Sequence, residues 1–204
     1  MQRSATKAAK ESRAPKTPKA RRVKRVNRTA AEQRAHLMRE IFEVFVFVAL
    51  IFIIVNVAVQ SFIIPDATMA PLLQPNQYVL VNKAAYFFGA PQRGDIVLVA
   101  NPQNPAQKLI RRIIAGPGDT ITVNAQHVIV NGQILNEPYV PAGEAGNESI
   151  VSQKLGANQY FVMCDNRLSN DQSDSRGLGA VPRANIQGKA VLVFWPSSAF
   201  HWLS

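Results

Sequence analysis

The side chains of this chain with the means to carry out bond chemistry lie in four short blocks. Pro65-Asp-Ala-Thr-Met-Ala-Pro71 contains the hydroxyl of Thr68 and the carboxylate of Asp66. Arg93-Gly-Asp-Ile-Val97 follows, and then Arg111-Arg-Ile-Ile-Ala-Gly-Pro-Gly-Asp119. The last block begins Asp165-Asn-Arg167 and ends Asp174-Ser-Arg176. Taken singly, the Arg-Gly-Asp, Gly-Pro-Gly-Asp and Asp-Ser-Arg pieces read as turn and ion-pair elements of a scaffold. The remaining reactive side chains exclude more than they offer. Cys164 is the single cysteine, so no intrachain disulfide forms. His36, His127 and His201 stand apart, and no His/Cys cluster has metal-ligand spacing. Neither a structural metal nor a cofactor is expected.

The elements that must position these blocks follow from charge and hydropathy. Residues 1–39 hold 13 Lys/Arg against 2 Asp/Glu, and the remainder holds 10 against 11. The basic excess therefore belongs to one tail rich in Ala, Pro, Lys and Arg. That composition has little to bury and reads as disordered. A basic surface spread over a folded domain would point to nucleic acid; this distribution does not, and no nucleic-acid partner is expected. Val44 to Val55 is unbroken apolar sequence, and only Asn56, Gln60 and Ser61 interrupt it before Ile64. At about 1.5 Å per residue a helix over Val44–Ile64 spans roughly 30 Å, the thickness of a bilayer's hydrocarbon core. A buried core helix rarely runs so long without a polar face. Arg34, Arg39 and the tail precede the span, which predicts a cytoplasmic N-terminus and an exported remainder. The run is long for a cleaved signal peptide and no small-x-small site closes it, so an uncleaved anchor is expected. The tail's expected role is to fix orientation and touch anionic lipid.

The chain thus reads as a basic tail over residues 1–39, an anchor over 40–64 and an exported domain over 65–204. In the domain, Tyr78–Val81, Ile96–Val99, Lys108–Ile114, Thr120–Val123, Val128–Val130, Ile134–Leu135, Tyr160–Met163 and Ala190–Trp195 read as strands. Asn131-Gly132 is a two-residue hairpin signal. Ala142 to Gly156, polar and Gly-containing, reads as a surface loop. The expected fold is all-β and antiparallel behind one transmembrane helix.

Standing in this order behind one span, the four blocks resemble the type I signal peptidases, the bacterial leader peptidases. The pattern of that family is roughly P-S-x-S-M-x-P-T-L, R-G-D-[IV]-V, K-R-[IV]-[IV]-G-x-P-G-D and G-D-N-R-x-x-S-x-D-S-R. The resemblance covers Pro65 to about Trp195. It implies a β-rich serine endopeptidase that removes signal peptides from exported preproteins at the outer membrane face, after small residues. Its implied partners are the lipid bilayer and the signal peptides themselves. Catalysis in the family uses a serine nucleophile and a lysine general base. A lysine takes that role where an apolar site lowers its pKa toward neutrality. The nucleophile's own N–H and a serine hydroxyl two residues earlier hold the oxyanion.

This chain departs from the family where the chemistry is done. The nucleophile position is Thr68, whose methyl restricts its rotamer but leaves a hydroxyl. The general-base position is Arg111, and a guanidinium cannot take up a proton. Lys108, at an odd offset along a strand, faces away from Arg111, and Lys83 falls where the family's lysine has no catalytic role. The oxyanion donor position is Asp66, an acceptor that repels negative charge when ionised. Met69 is retained beside the nucleophile and assigned with Asp66 to the oxyanion and substrate groove. Cys164 replaces a glycine, Leu72 a threonine and Asn76-Gln77 a Gly-Asp pair. The segment from Arg167 to Asp174 is longer than the family's by two residues, which leaves Ser169 and Ser173 both open as the serine beside the base. Asp119, Asp165, Asp174 and Arg176 are assigned to the scaffold. Three functions stay open: a peptidase using Thr68 with an unidentified base, a catalytically silent relative that binds signal peptides or partners an active peptidase, and an unrelated anchored scaffold. Opposite charges at Asp66 and Arg111 predict a direct ion pair filling the former catalytic centre; the alternative turns Arg111 to solvent and has Asp66 cap a turn.

Overall fold

The computed structural model describes residues 30–124, 127–141, 150–168 and 173–203. The expected disorder of residues 1–29, most of the loop after Pro141, and Ser169 lie outside them. In chain order the elements are α1 (Ala30–Ala58), β1 (Val59–Ile63), β2 (Tyr78–Asn82), β3 (Ile96–Ala100), β4 (Lys108–Ala115), β5 (Thr120–Val123), β6 (Val128–Val130), β7 (Gln133–Ile134), β8 (Ile150–Lys154), β9 (Gln159–Met163), α2 (Ser175–Leu178), β10 (Val181–Pro182), β11 (Ile186–Trp195) and β12 (His201–Trp202).

The division between two compact units falls within α1, after Val46. In the first unit the helix already runs from Ala30, through residues read as tail. Its polar start carries exposed i,i+4 pairs, His36–Glu40 and Arg39–Glu43. In α1 as a whole, Gln33–Ala58 is long and apolar enough to cross a membrane. The helix stops at Ala58, short of the expected Ile64. Val59–Ile63 instead pair as β1 with β2, Val59 opposite Asn82 and Ile63 opposite Tyr78. An unbroken apolar run has no period that separates helix from strand. Here the β2 edge settles the matter by satisfying the backbone of β1, while Phe62 packs on the core.

The strands form two sheets. The larger runs β1-β2-β11-β3-β4-β9-β10, with β12 beside β11; the smaller runs β7-β6-β5-β8. Every pairing among the described residues is antiparallel, as expected. The hairpin turn has Asn131 and Gly132 at φ 53° and 80°, the left-handed pair that a type I′ turn requires. Strands β1, β10 and β12 escaped the sequence reading, as did β8. The surface loop expected from Ala142 to Gly156 gives way at Ile150–Lys154, which pair along β5 with Thr120 opposite Lys154. A side chain at Gly188 would meet the Asn82 carbonyl oxygen at 2.7 Å, so β11 crosses β2 only because that position has no Cβ.

The core lies in three clusters. One gathers Ile64, Met69, Leu73, Val79 and Val193, and another gathers Ile114, Ile121, Phe161 and Met163 over the smaller sheet. The third sits around Val97, Ile113 and Val162. Strand β4, paired on both edges by β3 and β9, is buried on both faces from Leu109 on. Its neighbouring residues Arg111 and Arg112 point to opposite faces and both enter the interior.

Candidate active site

The segment between β1 and β2 holds the first block in place. Ile64 and Leu73 are core residues, and the Ile64 N–H donates to the Gln77 carbonyl at 2.9 Å. From the opposite side, the Asn166 N–H donates to the Thr68 carbonyl at 2.9 Å and its Nδ2 to the Ala67 carbonyl at 3.2 Å. These contacts bring the Asp165–Arg167 block against the Thr68 turn. Met69, assigned to the groove from the sequence, is 1% exposed. It is an internal member of the first core cluster, because an apolar side chain next to Leu73 gains more from the core than from an open cleft.

A cleft of about 830 Å³ opens over this turn, lined by Asp66, Ala67, Thr68, Ala70, Pro71, Gln74, Gln107, Pro141, Asn166 and Leu168. Small side chains and backbone make up the Thr68 wall. The Thr68 hydroxyl donates to Asp66 Oδ1 at 2.5 Å, and the Thr68 backbone N–H donates to the same oxygen at 3.0 Å. From β4, Arg111 Nη1 donates to Thr68 Oγ1 at 3.0 Å. The expected direct Asp66–Arg111 ion pair is not what forms: the threonine hydroxyl stands between them, a donor to one and an acceptor from the other.

Arg111 is 1% exposed. Its Nη1 also donates to the Ile110 carbonyl at 2.6 Å and its Nε to the Ser173 carbonyl at 3.2 Å, while Nη2 donates to Ser173 Oγ. Of the two serines that spacing left open, Ser173 meets the base position, and Ser169 lies outside the described residues. Among the described residues no lysine reaches Thr68: Lys108 opens β4 and Lys83 opens a 3₁₀ turn after β2. The site therefore contains a hydroxyl, a carboxylate that takes its proton in a hydrogen bond, and a guanidinium that only donates.

The scaffold residues stand around this centre. Arg112 on the other face of β4 meets Asp165 through Nε at 2.8 Å and Nη2 at 2.6 Å, under the ring of Tyr139 at 4.0 Å. Arg167 pairs with Glu137, and Arg176 with Asp174 at 2.9 Å. Asp174 Oδ2 also accepts the Cys164 N–H at 3.0 Å, and Oδ1 caps α2 by accepting the Arg176 N–H at 2.9 Å. Burial pushes the Cys164 thiol up to about 12, and Asp174 adds to the effect, so this cysteine is a packed thiol and not a nucleophile. At the Gly-Pro-Gly turn, burial works to raise Asp119, but the Gly116 N–H, Asn131 and Arg93 outweigh it and hold the carboxyl below its ordinary range. Sequence reasoning missed Arg112, Glu137 and Tyr139. For Arg112 the signal was available: next to Arg111 on a strand, it must face the other way. Glu137 and Tyr139 lie outside any strand and carried no such signal.

A family model described as signal peptidase, peptidase S26, matches residues 37–195. Signal peptidase I of Leptolyngbya laminosa is 39% identical over 143 residues, 65% of this chain and 67% of that protein. A probable signal peptidase I-2 of Synechocystis sp. is 37% identical over 155 residues, covering 71% and 69% respectively. Signal peptidase I P of Bacillus subtilis subsp. natto is 31% identical over 160 residues, covering 74% and 84%.

Proposed function

This chain belongs to the peptidase S26 family of signal peptidases, and on that premise we propose that it receives the signal peptides of exported preproteins in the Thr68 cleft and cleaves them far more slowly than a lysine-bearing relative. The observation that carries this reading is the hydrogen bond from Arg111 Nη1 to Thr68 Oγ1 at 3.0 Å. At the position of the family's base stands a group that gives a hydrogen bond to the nucleophile and cannot accept its proton. The N–H that would bind the oxyanion already donates to Asp66. Losing a single oxyanion donor costs about 10²–10³ in rate, and losing a general base about 10²–10⁴. The cleft itself is open, and Ala67 and Ala70 on its wall suit a small substrate residue.

In this reading the protein sits in the bacterial cytoplasmic membrane through α1. The basic residues before the span hold the N-terminus in the cytoplasm and place the β domain outside. Protease added to spheroplasts should degrade the domain after Pro65 and spare the tail; loss of the tail with protection of the Cys164 region would reverse the orientation.

The activity is tested on the full chain in detergent micelles, with a preprotein substrate and an active relative beside it as control. The expected result is signal-peptide binding with cleavage at least about 10³-fold slower than the control near neutral pH, since the departures multiply. Cleavage within about tenfold of the control would remove this reading.

A further inference from the structure

Both polar hydrogens of Thr68 point at one atom. Its hydroxyl lies 2.5 Å from Asp66 Oδ1 and its backbone N–H 3.0 Å from the same oxygen. On the far side of the hydroxyl oxygen, Arg111 Nη1 donates at 3.0 Å. We propose that Asp66 is a catalytic residue of this centre: it takes the Thr68 proton, in place of the base that position 111 no longer supplies.

The step balances within these groups. As Thr68 Oγ1 bonds to an electrophilic carbonyl carbon, its O–H bond breaks and the proton passes to Asp66 Oδ1, along a hydrogen bond already short for O–H···O⁻. The negative charge moves to the carbonyl oxygen. When the C–N bond breaks, the proton on Asp66 passes to the leaving amine, and Thr68 remains as an ester. A water molecule then attacks that ester, gives its proton to Asp66, and the proton returns to Thr68 Oγ1 as the acid leaves.

Arg111 has a part in the first step as a donor. Its guanidinium stabilises negative charge growing on Oγ1 while the proton departs. The transfer also changes what Asp66 does to the oxyanion. An ionised Asp66 repels it and occupies the Thr68 N–H. A protonated Asp66 is neutral, and a neutral acceptor holds that N–H less strongly than a charged one. The N–H is thus released to the oxyanion at the moment the oxyanion appears. The carboxylate that seemed to spoil the site as a fixed charge is, as a proton acceptor, neutral when it matters.

This inference deepens the reading of a slow peptidase, but its test needs no signal peptide. The full chain in detergent micelles is treated at pH 7 with a small β-lactone, an electrophile that acylates activated hydroxyls, and the adduct is located by peptide mass spectrometry. The wild type should carry an ester on Thr68, and Thr68→Ala should carry none there. Asp66→Asn keeps the shape but cannot accept a proton, and should label about 10²-fold more slowly or worse. Asp66→Ala should be equally slow, and added formate, a small carboxylate, should restore part of the rate. If Asp66→Asn shifts the thermal unfolding of the domain, the formate arm decides. Absence of a Thr68 ester in the wild type overturns the proposal. So does labelling of Asp66→Asn at the wild-type rate or faster, which is the result a merely repulsive carboxylate would give. Failure of signal-peptide binding would touch the proposed function alone.

Discussion

Replacing Asp66, Thr68 and Arg111 together by Ser, Ser and Lys should raise preprotein cleavage by about 10³-fold over the wild type, since a lysine base set apart from the oxyanion and a hydroxyl donor to it replace a carboxylate that also holds the Thr68 N–H. The geometry supports the exchange. The guanidinium lies within hydrogen-bonding distance of Thr68 Oγ1, Ser173 Oγ and the Ser173 carbonyl. A lysine entering that space would find the hydroxyls of the nucleophile and of Ser173. Position 111 is 1% exposed beneath the open cleft, and burial disfavours the charged ammonium, which is the condition for a lysine to act as a base near neutral pH. Arg111→Lys alone should not restore the rate. Asp66 would still occupy the Thr68 N–H, and its negative charge would favour the protonated, useless form of the new lysine. The measurement is the initial rate of signal-peptide removal by each variant, with folding checked by thermal unfolding. A folded triple variant no faster than the wild type would show that these three positions do not set the rate.

The largest loss of stability is expected at the other face of β4. Arg112 and Asp165 form a two-point ion pair whose side chains are 4% and 0% exposed. Asp165→Ala leaves a guanidinium buried beneath Tyr139 without its carboxylate, and Arg112→Ala leaves a carboxylate in the same position. Breaking a buried pair from one side costs about 3–5 kcal/mol, which for a domain of this size lowers the unfolding temperature by roughly 10 °C. Removing both partners with apolar residues of similar volume, Arg112→Met with Asp165→Leu, should cost less than either single change, because no charge is then stranded. Unfolding of the purified chain in micelles, followed by near-ultraviolet circular dichroism, reads all three. A single variant within about 1 kcal/mol of the wild type would mean that water enters and solvates the orphaned charge.

The two faces of β4 show how far local reasoning reaches. Period-2 alternation sets Arg111 and Arg112 on opposite faces, a signal the sequence reading left unused. It did not tell that both faces are interior, because that depends on β3 and β9 closing on either edge and on the Thr68 turn and the Glu137–Tyr139 segment covering the two sides. Lys108, on the same strand, stays partly in solvent only because it lies at the strand's first residue. The apolar run that ends in β1 teaches the same lesson from the opposite direction. Its composition suits a spanning helix up to Ile64, yet its final residues are a strand because an unpaired β2 edge lies within reach.

What the sequence by itself determined is what depends on composition and local order. The basic tail and the single apolar span, most strands of the antiparallel sheets, the Asn131-Gly132 turn and the family's block order are all of this kind, for each rests on residues near one another in the chain. Only the tertiary structure decided that Met69 turns into the core, that Ser173 meets Arg111, and that the Thr68 hydroxyl stands between Asp66 and Arg111 where a direct ion pair was expected. Charge type predicts that Asp66 and Arg111 attract. The positions of two separate backbones decide whether they touch, and here the backbone at Thr68 holds a hydroxyl in the gap.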